Sequence, residues 1–207
     1  MRDHWSLPPE EAWRYTGPDW LLDGGKEPDL KGKRKYPGEE DRGRGGDGGR
    51  KGRDAVDPQR SGWSRPAAGW TKINVDGSYA EGTGKAGIGI IARDHKGVTI
   101  FTSWRALFGC TGAEEAEARA CIEGLRLATQ WSHGPVVLES DCARMVKALR
   151  AADTDKSDIC FLIAEAREFG STLPEWRVSK VKREDNCVAH ELAQLARHNT
   201  STAVWLN

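Results

Sequence analysis

From residue 70 onward the apolar positions of the chain repeat either every two residues or every three to four. WTKINVDGSY (70–79) reads as a strand running into a turn, and AGIGIIARD (86–94) as a second strand. His95, Lys96 and Gly97 make the next reversal, and VTIFTSWRAL (98–107) is a third strand. Three strands with short links predict an antiparallel meander. The period then changes. Within 113–131, Ala118, Cys121, Ile122, Leu125 and Ala128 recur at helical spacing, with Arg119, Glu123 and Arg126 outside that stripe. PVVLES (135–140) predicts a short buried strand, and 142–151 and 157–169 predict helices anchored by Leu149, Ile159, Leu162 and Ile163. WRVSKVKRE (176–184) alternates as a strand does, and 186–197 forms a last helix on Val188, Leu192 and Leu195. The order β-β-β-α-β-α-α-β-α implies an α/β fold with a five-stranded mixed sheet, strands 1–3 antiparallel, flanked by helices. Trp104, Trp131 and Trp176 are expected in the core.

The first part of the chain has no such pattern. Residues 31–53, KGKRKYPGEEDRGRGGDGGRKGR, are glycine-rich, alternate basic and acidic clusters and contain almost nothing apolar. Burial cannot offset the ordering entropy of such a segment, so residues 1–65 are expected to be disordered, 70–200 to form the domain and 201–207 to be a short tail. KGKRK also fits a nuclear import signal and RGRGG an RNA-contacting segment, although the interspersed Glu and Asp favour a solvated linker.

Charge and cysteines narrow the class. The 207 residues carry 31 Lys plus Arg and 31 Asp plus Glu, so no overall positive field draws the protein to nucleic acid, and any such contact must come from local patches. The five cysteines are scattered, odd in number and lack a C-x-x-C spacing, which excludes a disulfide framework and a zinc site and suits a reducing compartment. No secretory signal core and no apolar run near 18 residues occur, so the expectation is an intracellular protein, nuclear or cytoplasmic, without a membrane partner and monomeric.

The candidate chemistry lies in acids at the ends of elements. Asp76 sits mid-to-late in the first strand, Glu117 in the first turns of the first helix, and Asp141 directly after the fourth strand. If strands one and four are neighbours, these carboxylates share one rim. Two carboxylates about 4 Å apart repel by roughly 4 kcal/mol at an effective dielectric near 20, so a fold keeps them together only with protons or cations. Oxygen-only ligands suit Mg²⁺ or Mn²⁺, and a pair of such ions can clamp the attacking and leaving oxygens of a phosphodiester.

Four stretches, INVDGSY, AEARACIEGL, LESDCARMV and VKREDNCVAHELA, together resemble the ribonuclease H family, in particular the short plant reverse-transcriptase-like domains of retroelement type. The likeness covers 70 to about 200. It implies a ribonuclease H-like fold and cleavage of the RNA strand of an RNA–DNA hybrid by two Mg²⁺ (or Mn²⁺) ions, with a hybrid, or double-stranded RNA, as partner. On this resemblance Asp76 is the strand-one Asp, Glu117 the helix Glu and Asp141 the strand-four Asp, all metal ligands. Glu114 competes with Glu117 for the helix position; the placing of Gly124-Leu125 favours Glu117. Gly77, Ser78, Lys182, Arg183 and Asn186 are the expected nucleic-acid contacts.

One departure bears directly on activity. Where well-studied members place a fourth Asp on the last helix, NCVAHELA has His190. A neutral imidazole can ligate a metal or relay a proton but brings no negative charge, which weakens a second ion; the alternative is that His190 only hydrogen-bonds Asn186. VSKVKREDN also lacks the mobile loop histidine of larger members, and 150–158 is too short and acidic for their basic protrusion. Two functions follow from the pattern: a metal-dependent endoribonuclease, with His190 as its fourth catalytic residue, or a nucleic-acid-binding module with weak or no cleavage. A retroelement fragment without a present role is a third.

Overall fold

The computed structural model describes residues 62–151, 157–200 and 202–206. Most of the expected disordered tail lies outside the described residues.

The meander forms as the alternation predicts: β1 (Thr71–Ala80), β2 (Lys85–Arg93) and β3 (Thr99–Leu107) pair antiparallel in sequence. Helix α1 (Ala113–Trp131) crosses over and delivers β4 (Val136–Ser140), which lies parallel to β1. Helices α2 (Ala143–Arg150) and α3 (Cys160–Ser171) lead to β5 (Trp176–Lys180), parallel to β4, and α4 (Cys187–Asn199) follows a 3₁₀ turn at Arg183–Asp185. The mixed α/β architecture therefore stands.

The strand count does not. Residues 202–206, expected in a tail, form a sixth strand, β6 (Thr202–Leu206), antiparallel to β3, and the sheet order is β5-β4-β1-β2-β3-β6. Thr200, at φ 48°, turns the chain back from α4, and the alternating TAVWL pairs with what would be an open edge of β3. At its other end, the strand expected over 176–184 stops at Lys180.

Each face of the sheet is covered by one long helix, and glycines set how closely. Helix α1 lies on Ile73 and Val75, where Gly124 leaves room for Val75 and Leu138; Gly77 lies against the backbone of Ala116 and Glu117. Helix α4 lies on the other face over Gly87 and Gly89, both against its backbone. Ile73, Val75, Ile88, Ile90, Leu125 and Leu138 fill the main core, and Ile91, Trp104, Leu192 and Ala196 form a smaller one under α4. Trp104 is core as expected; Trp176 is half-buried on Gly170, and Trp131 is exposed. Glu123, placed outside the buried stripe by spacing, is buried because Arg105 and Arg126 both pair with it.

The chain ahead of β1 is held too. Trp63 Nε1 donates to Asn74 Oδ1 at 2.9 Å, its ring lies under Arg93, and Lys72 Nζ donates to the Ser64 carbonyl. Beneath it Lys72 and Glu139 form a buried ion pair at 2.8 Å, and Asn74 Nδ2 donates to Glu139 at 3.0 Å.

Candidate metal centre

The site forms where a parallel pair of strands runs out. Pairing of β1 with β4 ends at Asn74↔Glu139, so Asp76 on β1 and Asp141 beyond β4, each two residues further on, come level with no ladder between them. The turn holding Asp141 is pinned on both sides: Cys142 N donates to Ser140 Oγ at 3.0 Å, and Val181 N donates to the Ser140 carbonyl. Glu117 arrives from α1, whose start is fixed by Thr111, donating through N and Oγ1 to Glu115. Gly77 allows that first turn to lie on β1, since a Cβ there would strike the Glu117 backbone. Asp76, Glu117 and Asp141 thus each offer an oxygen within 4.8 Å of the others. Glu114 takes no part: it is exposed and pairs with Arg144 on α2.

Electrostatics show what the cluster lacks. Burial raises the Glu117 carboxyl to about 9, helped by the charges of Asp76 and Asp141 and opposed by the Gly77 amide and Arg183. Burial also raises Asp76 to about 6; its hydrogen bond to His190 opposes this, and the Asp141 charge adds to it. Glu117 Oε2 is buried and has no hydrogen-bond partner among the described residues. A buried carboxylate oxygen without a donor, facing two more acids, fits a hard divalent cation bound through oxygen.

The fourth position differs from a carboxylate in charge and in contacts. His190 Nδ1 lies 3.0 Å from Asp76 Oδ2, so the ring engages the acid and not the Asn186 side chain. Arg183 Nη2 lies 2.8 Å from His190 Nε2, its Nη1 lies 3.4 Å from Asp141 Oδ2, and Gln194 also reaches the imidazole. Once all three carboxylates are ionised, one guanidinium against them leaves two negative charges, which one divalent ion would balance.

The expected nucleic-acid contacts divide. Lys182 and Arg183 are exposed beside the acids. Ser78 is 8% exposed opposite Gly87, and Gly77 serves the approach of α1. Asn186 is 1% exposed and donates through Nδ2 to the Val75 carbonyl at 3.0 Å and to Asp141 Oδ1 at 3.1 Å. Packing leaves Ser78 and Asn186 little surface, whereas Gly77 is half-buried. The spacing of Asn186 four residues before His190 signals a helix start, but the pairing with Asp141, 45 positions away, is not visible in sequence.

Comparison with known proteins places this geometry. The model of the reverse transcriptase-like family matches residues 74–196. An Arabidopsis thaliana protein, provisionally named a ribonuclease H protein, is 31% identical over 141 residues, covering 65% of this chain but 22% of that protein. Ribonuclease H1 of the halophilic archaeon Halobacterium salinarum superposes with a TM-score of 0.57 at 25% identity, covering 61% of this chain and 96% of that one. A ribonuclease H1 solved in complex with an RNA/DNA hybrid superposes at 0.56, with 25% identity and the same coverage of 61% and 96%. This chain belongs to the reverse transcriptase-like family, and its folded domain is a ribonuclease H-like domain.

Proposed function

We propose that the protein is a metal-dependent endoribonuclease that cleaves the RNA strand of RNA–DNA hybrids, using two Mg²⁺ or Mn²⁺ ions. The supporting observation is the convergence of Asp76, Glu117 and Asp141, from three separate elements, on one point. Those three side chains would hold the cation, which supplies Lewis-acid stabilisation of the charge developing on the cleaved phosphodiester. The chain's own residues prepare the ground. Asn186 holds Asp141 in place, Gly77 lets Glu117 close on β1, and His190 orients Asp76 through its Oδ2. Arg183 and Lys182 lie exposed at the rim, where they would meet backbone phosphates and fix the register of the strand. With its three acids ionised and Arg183 beside them, the cluster would balance one divalent ion, and a second would depend on charge brought by the substrate phosphate.

A second reading, a nucleic-acid-binding module with little turnover, is favoured by one observation: His190 and Arg183 lie against Asp76 and Asp141 where a further carboxylate would add ligand charge. Incubation of the full chain with a hybrid labelled on its RNA strand, in Mg²⁺ and in Mn²⁺, beside Asp76→Asn and Asp141→Asn, separates the two. Metal-dependent RNA shortening lost in both variants supports the nuclease. RNA left intact by a chain that still binds the hybrid supports the module.

A further inference from the structure

Charge is balanced over the whole chain but segregated in one place. Helix α2, ARMVKALR, and strand β5, WRVSK, carry five cations between them and no carboxylate. They are neighbours: β5 is the outermost strand of the sheet, and Arg150 closes its free side by donating through Nε and Nη2 to the Val178 carbonyl at 3.0 and 2.8 Å. Lys147 lies one turn before Arg150 on the same exposed stripe of α2. Lys180, also exposed, is level with Ser140, the residue before Asp141. Lys147 and Lys180 form no ion pair among the described residues, whereas Arg144 is paired with Glu114 and Arg177 with Glu175. A cavity of about 480 Å³ lined by Leu149, Arg150, Trp176, Arg177 and Val178 opens on the same edge.

We propose that the α2–β5 edge is a phosphate-backbone track, with Lys147 and Lys180 its principal contacts, leading a nucleic-acid strand to Asp141. The proposal rests on the nucleic-acid-directed reading above and extends it to a surface that begins beside the acids. Its geometry suits a polyanion: Lys180, Lys182 and Arg183 follow one another along the chain toward the site, over at most about 10 Å from Lys180 to Arg183. That length covers roughly three phosphates of one strand along a duplex axis. Edge cations also keep β5 from pairing with another sheet, but that protection needs no alignment with the acids, and Lys180 has it through the β4 register.

The test measures binding of the full chain to a fluorescent RNA–DNA hybrid, in EDTA, across a salt series. Lys147→Gln/Lys180→Gln is compared with Lys85→Gln/Lys96→Gln, which removes two exposed charges elsewhere. The expected result is an affinity at least tenfold weaker at low salt for the first pair. Its slope of log K against log salt should be shallower by about 2, with the control pair like the wild type. Thermal melts check that all variants remain folded, and each single substitution should reduce the slope by about 1. Unchanged affinity and slope, an equal loss in the control pair, or no binding of the hybrid by the wild type would overturn the track. Because metal is absent, a chain that binds through this edge yet cuts nothing keeps the track and loses the nuclease reading. A chain that cuts, but binds equally well without the two lysines, loses the track alone.

Discussion

Glu117 and Asp76 hold protons that an unfolded chain would have released near pH 4. With Asp76 raised to about 6 and Glu117 to about 9, the folded, metal-free protein binds more protons than the unfolded one between those limits, so its stability falls as pH rises from about 4 toward 9. A divalent ion needs the carboxylates ionised, so its binding releases protons and strengthens with pH over the same window. Calorimetric titration with Mn²⁺ should show affinity rising more than tenfold between about pH 5.5 and about pH 7.5, with a heat that depends on buffer ionisation; a flat profile would place the ion elsewhere. Asn186 gives a second prediction at this scale. Asn186→Ala leaves the Val75 carbonyl and Asp141 Oδ1 without their donor, and the fold should lose about 1–3 kcal/mol. A denaturant melt reads that cost. Mn²⁺ affinity should weaken as well, because Asp141 is no longer oriented; unchanged affinity would make Asn186 a fold residue only.

The helices reach the acids only as closely as the strand glycines allow. At Gly89 an added Cβ would strike the backbone of Ala189 and Ala193, so Gly89→Ala must lift α4, carrying His190 and Asn186 away from Asp76 and Asp141. The expected cost is about 3 kcal/mol, at the upper end for overpacking, read as a lower melting temperature together with weakened Mn²⁺ binding. Gly82→Ala, in open space, is the control and should change neither. Periodicity made most of these elements legible, because helix and strand bury different repeats. Helix α1 runs over 113–131 as its stripe predicts. The misses share a cause. Glu123 is buried by cations from β3 and from its own helix, and β6 is called into being by an open edge on β3. Arg105 for Glu123, and β3 for β6, are partners remote in sequence, which no local repeat reports. Among the site residues, the three acids were readable from their places in the first strand, the first helix and the turn after the fourth strand, whereas the roles of Ser78 and Asn186 depended on what covers them.

At the scale of the described domain, the sheet ends at one edge in a short strand and is marked at the other by cations. Deleting residues 202–207 should expose the β3 edge and give concentration-dependent association in light scattering; a deletion variant that stays as dispersed as the full chain would show that β6 protects nothing. No helix among the described residues is long and apolar enough to cross a membrane. The chain spans about a fifth of the curated relative it matches, so the site must be tested on this chain directly. The sharpest test uses two of the glutamates of α1, Glu117 in the cluster and Glu114 paired outside it with Arg144. Single-turnover cleavage of an RNA-labelled hybrid in Mn²⁺ is measured for the wild type, Glu117→Gln and Glu114→Gln. The account predicts cleavage by the wild type, a loss of about a hundredfold or more in Glu117→Gln, and Glu114→Gln within a few-fold of wild type. Cleavage by Glu117→Gln at the wild-type rate, or none by the wild type, would contradict it.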